Sequence, residues 1–242
     1  MNVLLIIPSY NEEDNVLENY NRIVKYNSKN KMKYDCIIIN DGSTDKTEKI
    51  CKENKIPYIS LVHNLGIGGA VQTGYKYAFE NEYDIAVQFD GDGQHDVSCI
   101  KTIVDTIMFD DCDMVIGSRF IDKNSSEFKS SFARRIGIKI ISFFIKLTTR
   151  KKIYDTTSGF RAVNKKIIEQ FANEYPVEYP EPITTVEVIK KGYVVKEVPV
   201  SMNERENGIS SIKAWKNIYY MLNVIISIII SGVGGKKKWI QT

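Results

Sequence analysis

The chain has 242 residues, 43% hydrophobic and 26% charged, enough apolar material for one substantial core. Its net charge of +3, from 33 basic and 30 acidic residues, offers no global field for a nucleic-acid partner. Four cysteines without a C-x-x-C pair, and only two histidines, argue against a structural zinc site.

Short apolar runs alternate with helix-period segments, the pattern of a parallel sheet built through crossover helices. Val3 to Ile7 is the first strand, and its lack of a basic leader or cleavage site separates it from a signal peptide, so the protein is expected in the cytoplasm. Asn11 is placed to cap a helix with Glu12, Glu13 and Asp14 in its first turn. Strands at Cys36 to Ile39, Tyr58 to Val62, Ile85 to Phe89 and Met114 to Ile116 follow, with helices at Thr44 to Glu53, after the Gly66 turn, and at Val97 to Met108. A long apolar helix runs from about Phe132 to Leu147, and Val194 to Val200, interrupted by Pro199, reads as an edge strand.

Charge is unevenly placed along this order. Acidic residues gather between Glu12 and Asp113, while Arg119, Arg134, Arg135, Arg150, Lys151, Lys152, Arg161, Lys165 and Lys166 crowd the third quarter. The boundary is drawn at 1–211 for an α/β domain and 212–242 for a C-terminal apolar helix and basic tail. Ile218 to Gly235 is uncharged, at the lower limit for a bilayer span, and flanked by Lys213, Lys216 and Lys236 to Lys238. It reads as an amphipathic, membrane-interface helix, with packing on the domain or on a subunit or small membrane-protein partner as the alternative.

The strongest chemical signal is Asp90-Gly91-Asp92-Gly93-Gln94-His95-Asp96 at a strand end, where open α/β sheets bind ligands. Two carboxylates spaced by a glycine suit a hard cation, Mg²⁺ or Mn²⁺, which holds a diphosphate with only one or two protein carboxylates. An EF-hand fails on His95 and Lys101 at its sixth and twelfth positions. A haloacid dehalogenase phosphatase would carry its D-x-D on the first strand. Gly66-Ile67-Gly68-Gly69-Ala70 lacks the third glycine of a dinucleotide fingerprint, and no P-loop is present. Its glycines allow a tight turn into a helix, and amides such as that of Gly69 can approach a ligand. Pro8-Ser9-Tyr10-Asn11-Glu12 and Asn40-Asp41-Gly42-Ser43-Thr44-Asp45 end two further strands on the same edge.

These motifs, with Gly117-Ser118-Arg119, Thr157-Ser158-Gly159-Phe160-Arg161 and Glu204-Arg205-Glu206-Asn207-Gly208, cover about residues 3–212 in an order that resembles the family 2 inverting glycosyltransferases. The narrower likeness is to the dolichyl-phosphate mannose synthase and bacterial polyprenyl-phosphate branch. The resemblance implies the GT-A fold, a Rossmann-like, mostly parallel sheet flanked by helices, and transfer of a sugar from a nucleotide-diphosphate donor, a UDP-sugar favoured, to a polyprenyl phosphate at the cytoplasmic face of a membrane. It also implies that Pro8, Tyr10, Asn11, Glu12 and Asp41 bind the nucleoside, with Gly69 and the Asp90-Gly91-Asp92 turn against the donor. Asp90, Asp92 and Gln94 would surround the metal, and Arg119, Arg134 or Arg135, and Arg205 would hold phosphates. Where the branch often continues with Ser-Lys, this chain has Ser210-Ser211-Ile212, leaving Lys213 as a substitute.

A lipid phosphate is already an anion near neutral pH and needs cations to position it, whereas a sugar hydroxyl needs a base. Glu181 or Glu187 would be that base for a saccharide acceptor. The prolines of Glu178-Tyr179-Pro180-Glu181-Pro182 favour an extended segment there, and Asp155 is placed to orient a nearby arginine. A non-catalytic nucleotide-sugar-binding module is the reading from another class.

Overall fold

Val3–Ser9 (β1) is buried along its whole length because both faces are covered: Val3, Leu5 and Ile7 enter one core cluster, Leu4 and Ile6 the other. Each such aliphatic side chain contributes roughly 1.5–3 kcal/mol by leaving water. The computed structural model describes residues 1–91, 95–121, 132–201 and 214–233, except the side chains of 132–134, 214–220 and 231–233. In chain order the elements are β1, α1 (Val16–Asn30), β2 (Tyr34–Asn40), α2 (Thr47–Glu53), β3 (Tyr58–Ser60), α3 (Gly66–Glu80), β4 (Ile85–Gln88), α4 (Cys99–Phe109) and β5 (Met114–Ser118). There follow α5 (Phe132–Thr149), β6 (Arg161–Asn164), α6 (Lys165–Asn173), α7 (Pro180–Lys190), β7 (Val195–Pro199) and α8 (Ala214–Val233).

The sheet order is β3-β2-β1-β4-β6-β5-β7. The strands from β3 to β4 are parallel, β6 is antiparallel to both neighbours, and β7 returns parallel to β5. The chain moves outward from β1 to β3 and then crosses back to the other side of β1, so β1 and β4 flank the switch point at which open α/β sheets bind ligands.

Three readings are corrected. Asn11 does not cap the first helix: its φ of 55° is left-handed, its side chain bonds elsewhere, and α1 starts only at Val16. The second helix begins at Thr47 rather than Thr44, because residues 41–46 are held in a loop. The proline segment is not extended. Pro180 opens α7, where the missing N–H has no helical partner to lose, after Tyr179 turns left-handed at φ 52°. β6 is a strand the sequence reading lacked, whereas β7 is the edge strand it expected.

The C-terminal helix α8 packs on α5 and α7, and its Val224 and Ile228 join the core cluster that holds Leu4 and Ile6. Gly137 makes room for this contact, since a Cβ there would meet Met221 Sδ at 3.2 Å. The opposite face exposes Leu222, Ile226, Ile229 and Ile230. Among the described residues, no helix is long and apolar enough to cross a membrane.

Candidate functional site

At the carboxyl ends of β1 and β2 the two predicted loops are joined by reciprocal bonds. Asn11 N donates to Ser43 Oγ at 3.0 Å, and Thr44 N to Asn11 Oδ1 at 2.9 Å. Glu12 N donates to Thr47 Oγ1 at 2.9 Å, and Glu13 N to Asp45 Oδ2 at 3.0 Å. Burial alone would raise the Asp45 carboxyl, but hydrogen bonds from Thr47 and Glu13 together hold it below the usual range. Pro8 is buried at the strand end, and Tyr10 stands 47% exposed beside it.

Asp41 is only 3% exposed. Its Oδ1 accepts from Leu65 N at 2.7 Å and its own amide donates to Ser9 O at 2.9 Å, so it ties the first, second and third loops together. The glycine run that follows serves packing. A Cβ at Gly68 would collide with the carbonyls of Pro176 and Val177, and one at Gly69 with Leu65 Cβ. The loop before α7 therefore crosses directly over the start of α3.

Gly91 is wedged against the first loop, with a Cβ there 3.0 Å from Pro8 O and 3.1 Å from Ser9 Oγ, and its carbonyl accepts from the buried Asn19 amide. Asp90, its side chain 33% exposed, meets His95 Nε2 at 2.9 Å. Asp92, Gly93 and Gln94 lie outside the described residues, as do Arg205 and Lys213, and nothing is described of the Arg134 side chain. Among the described residues no three His, Cys, Asp or Glu side chains form a metal-holding group. Asp90 itself fits a hard cation: an oxygen donor, partly open, at the switch point, with its carboxylate held by a neighbour.

The predicted phosphate-binding arginines are not alike. Arg135 is exposed on α5. Arg119, directly after β5, is 5% exposed and clamped by Asp155, Nε to Oδ2 and Nη2 to Oδ1 both at 2.7 Å, with Nη2 also 3.1 Å from Thr157 Oγ1. Asp155 thus orients an arginine as its sequence position suggested. It is held in turn by Glu197 on β7, whose carboxylate accepts from the amides of Tyr154 and Asp155 at 2.8 Å each. Burial raises the Glu197 carboxyl, and those amide bonds oppose the rise.

Arg161, read in the sequence as one of a basic crowd, is 1% exposed at the start of β6 and lies opposite Gln88. Its guanidinium donates to Ser158 O at 2.7 Å, Glu181 O at 2.8 Å and Thr184 Oγ1 at 3.0 Å. It fixes the 157–161 loop and the start of α7 beside Asp90. Of the fallback bases, burial pushes the Glu181 carboxyl up, opposed by Arg161 and reinforced by Asp90, whereas the raised Glu187 responds to burial and Lys191. Glu181 therefore shares the site and Glu187 does not share its charges.

The family model described as Glycosyl transferase family 2 matches residues 4–171. The UDP-N-acetylglucosamine–dolichyl-phosphate N-acetylglucosaminyltransferase of Methanococcus voltae is 34% identical over 218 residues, covering 82% of this chain and 84% of that protein. The dolichol-phosphate mannosyltransferase of Pyrococcus furiosus is 30% identical over 233 residues, 93% of this chain and 63% of that protein. Among solved structures, glucosyl-3-phosphoglycerate synthase from Mycobacterium tuberculosis, in complex with Mn²⁺, uridine diphosphate and phosphoglyceric acid, aligns with a TM-score of 0.67. That alignment covers 98% of this chain and 80% of the other at 14% identity, a likeness of fold.

Proposed function

The chain belongs to glycosyl transferase family 2 and has the GT-A fold, and on that premise we propose that it transfers a sugar from a nucleoside-diphosphate donor to a polyprenyl phosphate at a membrane surface, with inversion. The observation that carries the reading is the partly open Asp90 carboxylate at the β1/β4 switch point, beside loops joined across three strand ends. Relatives named for dolichyl-phosphate acceptors over most of this chain's length support the acceptor class. A UDP-sugar is the donor to test first, in line with the named donor of the 34% relative.

Asp90, with Asp92 and Gln94 of the same sequence motif, would hold Mg²⁺ or Mn²⁺, which when bound supplies charge neutralisation to the diphosphate. A phosphate oxygen of the acceptor attacks the anomeric carbon as the bond to the nucleoside diphosphate breaks, and the electron pair leaves with the diphosphate. No proton has to be removed, so the work of the chain is positioning. Arg119, Arg205 and either Arg134 or Arg135 are assigned to the phosphates, Arg119 being pre-set by Asp155.

Membrane seating is supported by α5 as well as α8. At 3.6 residues per turn, the exposed Arg135, Lys139 and Lys146 fall within roughly 40° of the helix circumference, beside an exposed strip of Ile136, Phe143 and Leu147. A cationic stripe next to an apolar one suits an anionic headgroup layer over acyl chains. α8, packed on α5, adds Leu222, Ile226, Ile229 and Ile230.

The test is transfer of radiolabelled sugar from a panel of nucleotide sugars into organic-extractable product, with undecaprenyl phosphate and Mn²⁺ or Mg²⁺. Label should enter the lipid phase, and Asp90→Ala should lower the rate about a thousandfold. A hydroxyl acceptor is the second reading, favoured by the raised Glu181 carboxyl beside Asp90. Label reaching a saccharide and never the lipid would establish it instead.

A further inference from the structure

His95 lies against Asp90, five positions before it, and neither the D-x-D reading nor the assigned metal ligands give it a task. It is 2% exposed, with ring centroids 5.7 Å from Phe89 and 4.9 Å from Phe160, and those two phenylalanines meet edge to face at 5.6 Å. The two rings, tilted 49° and 43° to the imidazole, confine it. Nε2 then lies 2.9 Å from Asp90 Oδ2, and because a carboxylate only accepts, that nitrogen carries the proton and donates.

The same carboxylate is approached from a second side. A Cβ at Gly159 would lie 2.8 Å from Asp90 Oδ1 and 3.0 Å from Oδ2, so only a residue without a side chain leaves the group where it is. Gly159 and Phe160 are neighbours in one loop, and that loop is held by the Arg161 guanidinium bonded to Ser158 O. His95 Nε2 and the Gly159 backbone, on separate segments, therefore both bear on the Asp90 carboxylate.

Packing alone does not account for an imidazole here. His95 Nδ1 is buried with no partner among the described residues, a desolvation cost that a leucine or phenylalanine of similar bulk would avoid. The bond to Asp90 is what the imidazole offers that an apolar ring does not.

We propose that His95 is a positioning residue that, with Gly159, fixes the Asp90 carboxylate so that its cation-facing lone pairs are preset for a divalent metal and its diphosphate. Donors to a ligating carboxylate typically alter metal affinity by about 10–100-fold. The inference rests on the reading of Asp90 as a metal ligand.

The experiment titrates Mn²⁺ into the full-length protein in the presence of uridine diphosphate, followed by electron paramagnetic resonance of free Mn²⁺, for wild type, His95→Leu, His95→Gln and Gly159→Ala. His95→Leu should weaken Mn²⁺ binding about tenfold or more, His95→Gln should recover most of it because the amide restores a donor, and Gly159→Ala should weaken it without touching the imidazole. Mn²⁺ binding by a cooperatively melting His95→Leu protein within twofold of wild type would overturn the role of His95 and leave the metal reading intact. Equal loss in His95→Leu and His95→Gln would also overturn it, since shape and not the donor would then matter. If His95→Leu fails to fold, His95→Gln decides: Mn²⁺ affinity near that of wild type supports the donor, and a tenfold loss overturns it. Wild type that takes up no Mn²⁺ would remove the metal reading and this inference together.

Discussion

From β3 to β4 the sheet is parallel, its strands are apolar on both faces, and its loops are tied by short bonds from side chains to backbone amides. From β6 to β7 it reverses direction once, and what lies buried includes Arg119, Asp155 and Arg161. The first half is held chiefly by hydrophobic burial, which has no preferred direction, with Asp41 as its buried carboxylate. The second is held by directional bonds between groups that are costly to bury alone. On the proposed function the two would do different work: the first half would be the platform for the donor, and the second would hold charges at fixed positions for an acceptor anion.

The sharpest way to break this comparison is to remove one partner of a buried pair. Asp155→Ala leaves the Arg119 guanidinium, 5% exposed, without its counter-charge, and should cost about 3–5 kcal/mol of unfolding free energy in urea. The change chosen for the first half, Asp45→Ala, removes the half-buried acceptor of the Thr47 and Glu13 amides and should cost about 1 kcal/mol. Equal losses would mean that the halves do not differ as argued. Replacing both Arg119 by Met and Asp155 by Leu should return much of the stability while transfer to the lipid stays lost, separating the structural value of the pair from its use.

A second, smaller effect belongs to the outer layer of the second half. Phe143→Ser with Leu147→Ser should weaken sedimentation with anionic vesicles at least tenfold, since two exposed apolar side chains leave the α5 strip. Unfolding in urea should hardly change because both side chains are already exposed. Unchanged vesicle binding would move the membrane face to α8 alone and make the second half's outer helices ordinary solvent-facing ones.

The two halves also differ in how far the sequence discloses them. β1, β2, β4 and β5 are legible as apolar runs ending in Pro, Asn, Asp or Gly, and the site edge follows from where those runs stop. Asn11 misleads because a left-handed residue that bonds across to Thr44 has the same identity as a helix cap. β6 is hidden for a different reason: it is only Arg161–Asn164, and its first residue is an arginine whose burial depends on Ser158, Glu181 and Thr184, two of them some twenty positions away. Pro180 has two opposite meanings, extended before it and helical after it, and only the left-handed Tyr179 decides between them. Glu197 behind Asp155 carries no local signal, because the pairing is made by a strand of the far edge.

The smallest prediction tests whether Glu181, which lies where the halves meet, acts by charge. Burial raises its carboxyl above the ordinary 4.5, with Arg161 pulling down and Asp90 pushing up. The folded form therefore holds its proton to higher pH than the unfolded one. Below the ordinary value both states are protonated and the group is neutral in its effect; stability then falls as pH rises through the folded value, and the loss is constant above it. Glu187 and Glu197, also raised, act with the same sign. Glu181→Gln keeps the shape and removes the titration, so it should raise the melting temperature by about 2–4 °C for each kcal/mol relieved near pH 7.5 and leave it unchanged near pH 4. A fall in melting temperature at pH 7.5 would mean that the carboxylate is bonded to the Arg161 side of the site and stabilises as an anion. The same variant divides the acceptors: transfer to a lipid phosphate should survive it, because that oxygen has no proton to give up, whereas transfer to a saccharide hydroxyl would lose its base.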